Sequence, residues 1–166
     1  LFSVTGGIPW YVALLMDKGH TTKDSMLGYL TEENSPFIHE GKNILIEEFG
    51  PDYGMYFSIL TCIAGGMRTR GEIEGELQES NISSYLNRLE NYYGLIARSL
   101  PIFAKESSKK TRYMLSDCFL TLWFRFFYKY QSIIANDALP QLDLIIRRDY
   151  DTLAGVMLER YFERKL

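Results

Sequence analysis

The sequence predicts a mainly α-helical protein carrying one β-hairpin, on three observations. Apolar residues recur at helical spacing over most of the chain, as in Tyr56, Ile59, Leu60 and Ile63. After Gly94 the pattern changes. Leu95-Ile96 opens an extended run, and Thr111-Arg112-Tyr113-Met114-Leu115 alternates as a strand does, with the polar turn Lys105–Lys110 between the two. Hydrophobic residues make up 46% of the 166, enough for a packed core.

Residues 1–50 read as a small helical module. In Thr5-Gly6-Gly7-Ile8-Pro9-Trp10-Tyr11 the glycines permit a tight turn and Pro9 fits the first position of a helix. Trp10, Val12, Ala13 and Leu14 carry that helix to about Asp17, and Gly19-His20 breaks it. Thr22 caps the next helix, with Met26, Leu27 and Leu30 inward. Asn34-Ser35-Pro36 is a turn. Ile44, Leu45, Glu48 and Phe49 mark a further helix, stopped by Gly50-Pro51.

Residues 51–116 read as a winged helix-turn-helix. Its first helix, Met55–Ala64, ends at Gly65-Gly66. Thr69 caps the second, with Glu72 three residues on as a capping box and Ile73 and Leu77 as apolar anchors. Ile82, Tyr85, Leu86, Leu89 and Tyr92 or Tyr93 give the third a buried stripe, closed by Gly94. Three helices and a hairpin in about sixty residues match the size of one such unit.

Residues 117–166 read as a bridging helix and the start of a C-terminal domain. Asp117 caps a helix to about Gln131 that is apolar nearly all round, from Phe119 to Tyr130, and so must be covered on every side. Pro140 marks a turn. Leu142, Leu144, Ile145 and Ile146 form a buried run, and Leu153, Met157, Tyr161 and Phe162 a last stripe. The chain starts at Leu1 without an initiator Met and ends inside a helical pattern, which predicts a piece of a longer protein.

The net charge of −3 is unevenly spread. Residues 1–54 hold 3 basic and 8 acidic groups, residues 55–135 hold 10 and 7, and residues 136–166 hold 5 and 6. Positive charge therefore gathers on the winged-helix region. Cys62 and Cys118 lack metal-ligand spacing and read as buried thiols of a cytoplasmic protein. No signal peptide is visible, and the run Cys118–Tyr128 is too short to cross a bilayer. No P-loop occurs, and His20 and His39 fall in predicted loops without a nucleophile or metal set, so this chain alone is read as non-catalytic.

Several pieces together carry a resemblance. They are Thr5-Gly-Gly-Ile-Pro9, Tyr56-Phe-Ser-Ile-Leu60 with Ile63-Ala64, Glu72-Ile73, Tyr85-Leu86 with Leu89, and Gly94-Leu-Ile96. Arg112-Tyr113 with Ser116-Asp117, Phe119-Leu120 and Trp123-Phe-Arg-Phe126 complete the set. In this order they resemble the C-terminal part of prokaryotic AAA-type, STAND-like P-loop ATPases that carry a C-terminal domain of unknown function. The resemblance implies that Gly6, Gly7 and Pro9 belong to a nucleotide lid, with ATP and Mg held mainly by a P-loop domain of the parent chain. It implies a winged helix that regulates the ATPase or binds nucleic acid. It also implies a C-terminal domain similar to PD-(D/E)xK nucleases, in which Gly155 and Glu159 occupy the first acidic position, an orphan without the rest of the site.

For duplex DNA the candidate residues are Ser83, Ser84, Asn87, Arg88 and Asn91 on the outer side of the third helix, with Lys105, Lys109, Lys110 and Arg112 on the wing. Glu72, Glu74, Glu76 and Glu79 on the second helix oppose that reading. They favour the alternative, a protein–protein interaction module that packs on the ATPase core or a partner. Self-association is expected too, from the apolar bridging helix and the stripe at 153–162.

Overall fold

The computed structural model describes residues 1–99 and 111–163. In chain order it has α1 (Phe2–Thr5), α2 (Pro9–Asp17), α3 (Lys23–Leu30), α4 (Phe37–Phe49), a 3-10 turn (Gly50–Asp52), α5 (Tyr53–Ala64), α6 (Arg70–Leu77) and α7 (Ser83–Asn91). Strands β1 (Ile96–Ser99) and β2 (Arg112–Leu115) follow, then α8 (Cys118–Leu122), a π turn (Trp123–Tyr128), α9 (Gln131–Ala135) and α10 (Leu139–Glu163). The fold is mainly α with one antiparallel hairpin, in the register Ile96↔Leu115 to Ser99↔Arg112.

Local chemistry explains most boundaries. Thr22 caps α3 with Ser25 as its reciprocal partner, and Thr69 caps α6 with Glu72. The Asp117 carboxylate accepts from Leu120 N at 2.7 Å and starts α8. Between α1 and α2, Gly6 and Gly7 take φ of 61° and 82°, a left-handed turn that L side chains resist. Pro9 then opens α2.

One core cluster runs from Val4 to Met157. The π turn lies at its centre, packed against α4, α5, α9 and α10. Trp123, Phe124, Phe126 and Phe127 are each buried, burial worth about 1.5–3 kcal/mol for a side chain of this kind. The apolar helix expected to bridge two modules is thus covered by its own chain. Trp123 sits flat against α4 at Gly41, where an added Cβ would overlap the indole. Its Nε1–H donates to Ile38 O at 2.9 Å. Gly41 is small because a ring from a distant segment fills its place.

Several boundaries differ from the sequence reading. Helix α4 begins at Phe37, a turn and more before Ile44, so His39 is helical rather than in a loop. Ile44 is 44% exposed, and the buried side of α4 is Phe37, Ile38, Gly41, Leu45 and Phe49. The predicted helix to Gln131 is not regular: Lys129 N reaches Phe124 O at 3.2 Å, an i→i−5 bond, and the run ends at Tyr130. Pro140 is no turn but lies in the first turn of α10, where its missing N–H is harmless. The two C-terminal apolar runs belong to that single helix. Leu142 and Ile146 are fully buried on it, whereas Leu144 points outward at 68% exposure.

Candidate nucleic-acid interface

The sequence of α7 sorts its residues by helical phase. Ile82, Leu86 and Leu89 face the core. Ser84, Asn87, Arg88 and Asn91 are exposed at i, i+3, i+4 and i+7, so they share one outer face. Ser83, also expected there, starts the helix half-buried. The face is polar, with one cation.

That cation is held. The Arg88 guanidinium lies 5.9 Å from the Tyr56 ring centroid and 6.0 Å from that of Tyr93. Tyr93 in turn donates its hydroxyl to Glu48 O at 3.3 Å. Arg88 is thereby aimed by two rings rather than left free, a relation no spacing in the sequence announces.

Helix α6 leads into α7, and the glutamates on and after it are of two kinds. Glu72 accepts from Arg68 N and Thr69 N at 2.8 Å each. The Thr69 and Arg68 amides hold its carboxyl below the usual range. Glu74 accepts from Arg70 Nε at 2.7 Å and from Asn81 N at 3.0 Å, tying the loop to the start of α7. The Arg70 hydrogen bond chiefly lowers its pKa. These two charges are engaged in building the unit. Glu76 is exposed on α6, and Glu79, expected on the same helix, is exposed beyond its end at Leu77.

The hairpin closes the unit. Tyr113 N donates to Arg68 O at 2.7 Å, so β2 also touches the segment between α5 and α6. Arg98 on β1 pairs with Glu90 of α7 at 2.9 Å, which draws its charge toward the helix flank. Arg112 is exposed on β2, opposite Ser99 of β1, and its charge adds slightly to the lowering of the Glu72 carboxyl. Lys105, Lys109 and Lys110 lie outside the described residues.

The lid-like turn has its own geometry. Gly6 N donates to Phe2 O, Gly7 N to Thr5 Oγ1 and Ile8 N to Thr5 O. Its amides are satisfied internally, so it is no phosphate cradle. Ile8, Pro9 and Trp10 are exposed beside it, Trp10 at 53%. Beneath the turn, Gly6 approaches Asp117, whose pKa burial raises. Nearby Tyr11 donates to Glu40 Oε1 at 3.4 Å. Burial first, then Glu40 and Asp117, drive its phenol far above the ordinary value.

Other features are plainer. Glu159 is exposed on α10, and Gly155 has open space around it. No group of three or more His, Cys, Asp or Glu among the described residues is placed to hold a metal. A polar cleft of about 570 Å³ lies between α3 and α10, but its Arg147 is already paired with Asp143 at 2.6 Å and Asp24 at 3.0 Å. Cys62 is buried, whereas Cys118, expected to be buried too, is only half-buried at the start of α8. No helix among the described residues is long and apolar enough to cross a membrane.

No family model matches the chain. No solved structure matches it. An uncharacterized protein of Methanocaldococcus jannaschii is 28% identical over 169 residues. The match takes in 96% of this chain but spans only 35% of that protein.

Proposed function

We propose that the 51–116 unit is a winged helix that binds duplex DNA through the outer face of α7, as a non-catalytic part of a larger ATPase. The observation that carries this reading is the exposed row Ser84, Asn87, Arg88 and Asn91 on a helix seated by Ile82, Leu86 and Leu89. Amide and hydroxyl groups suit base edges and phosphates, and a ring-held arginine suits a guanine edge or a phosphate. The Arg70 ion pair offsets the charge of Glu74, which removes part of the repulsion expected from α6. In the same proposal the Ile8–Trp10 surface supplies one wall of a nucleotide site completed by a P-loop domain of the parent. ATP would bind there with Mg held outside this chain.

The test is fluorescence anisotropy with labelled duplex at low and moderate salt. Arg88→Ala is expected to cost about 1–3 kcal/mol and relax preference at one base position. Lys109→Ala with Lys110→Ala should weaken all sequences alike and flatten the log–log salt slope, by about 0.9 for every phosphate left without its lysine. Absence of binding at low salt would favour the second reading, a protein-interaction module. Exposed Glu76 and Glu79, Tyr92 at 77% exposure and the pairing of Arg70 and Arg98 speak for that one.

A further inference from the structure

The π turn widens the helix where it passes α4 and α9, and a cavity of about 200 Å³ opens there. Trp123 and Phe127 form its inner wall, while Ile38 of α4 and Ile134 of α9 close two sides. The indole N–H of Trp123 is already donated to Ile38 O at 2.9 Å, and Trp123 and Phe127 are only 3% and 1% exposed, so the open apolar surface of the cavity is that of Ile134 and Ala135 beside the fixed indole. The mouth is different. His39 and Lys42 stand on it, both exposed and one turn apart on α4. Lys42 makes no ion pair among the described residues. An apolar slot with an uncommitted cation at its rim selects a flat apolar body bearing one negative charge. The size agrees, since an apolar cavity of about 150 Å³ takes benzene. Single π turns inside helices recur at functional sites, which is the second reason to look here.

We propose that this cavity binds a small aromatic carboxylate, ring inward on Ile134 at the edge of the Trp123 indole and carboxylate outward on Lys42. The site is separate from the α7 face and does not depend on nucleic-acid binding. The chain has 2 tryptophans, so Trp10→Phe leaves Trp123 as sole fluorescent reporter. In that background the full chain is titrated with benzoate, benzyl alcohol and benzylammonium. Benzoate should shift the emission saturably, with a dissociation constant on the order of 1 mM for a ligand of that size. Benzyl alcohol should bind several-fold more weakly and benzylammonium weakest. Lys42→Ala should bring benzoate down to the level of benzyl alcohol and leave benzyl alcohol unchanged. Ala135→Phe, an exposed position on the cavity lining, should abolish both without loss of helical circular dichroism. No saturable change with any probe overturns the site. Equal binding of the three probes, or benzoate binding indifferent to Lys42→Ala, overturns the anion at its mouth. Retained binding in the folded Ala135→Phe variant places the probe elsewhere and overturns the proposal.

Discussion

At the scale of single residues, Asp117 performs two opposed tasks. Its carboxylate caps α8, yet burial raises its pKa, so the charged form is the costly one. A carboxyl raised in the folded state binds more protons there than in the unfolded chain. Its contribution is complete below the ordinary carboxylate pKa and is lost as pH rises through the raised value. Asp117→Asn keeps the cap and removes the titration. The expected result is a flatter dependence of stability on pH in the mildly acid range, read from urea midpoints. Asp117→Ala loses the cap and should cost about 1 kcal/mol. Glu72 has the opposite sign: its lowered pKa gives stability above the unfolded value that is lost as pH falls through the folded one. Gly41 is the other residue under constraint. Gly41→Ala would force a methyl group into the Trp123 ring and should destabilise by about 1–3 kcal/mol, measured by denaturant unfolding.

At the scale of elements, caps decide where helices begin and tertiary contacts decide which side they hide. Thr69→Ala removes half of the α6 capping box, and with it the register of the segment that Tyr113 N bonds at Arg68. A loss of about 0.5–2 kcal/mol is expected, with the hairpin amides exchanging faster by hydrogen–deuterium exchange. These features were legible in the sequence because they are local: Thr69 with Glu72, Asp117 before α8, and the change of period after Gly94. The early start of α4 was not. Its apolar side is interrupted by Gly41, whose reason for being small lies on the π turn. Nor could spacing show that Leu144 faces outward while Leu142 and Ile146 are buried on the same helix, because a dense apolar run does not mark its own phase. At the candidate interface the outer residues of α7 followed from its 3.6-residue period. The stacking of Arg88 on Tyr56 and Tyr93, and the pairing of Arg98 with Glu90, join residues whose sequence spacing carries no signal.

At the scale of the whole molecule, the question is which apolar surface remains uncovered. The bridging helix does not supply it, since Phe119 to Phe127 are packed by α1, α4, α5 and α10. The end of α10 does. Leu158 and Phe162, at 53% and 55% exposure, lie one turn apart on one side, and Tyr161 at 38% stacks edge-on against Phe2 at 4.9 Å. A second copy presenting the same helix end would bury these groups in a two-fold contact, where each side offers the patch the other needs. Self-association through α10 is therefore expected to grow with concentration in sedimentation equilibrium. Because the contact is apolar, added salt should not weaken it, unlike the screened attraction expected for DNA. Leu158→Glu with Phe162→Glu puts two like charges on the face and should return the chain to a monomer. Its unfolding midpoint should change little, since neither side chain is in the core. A monomer at high concentration in the unaltered chain, or association untouched by the double substitution, would rule this surface out.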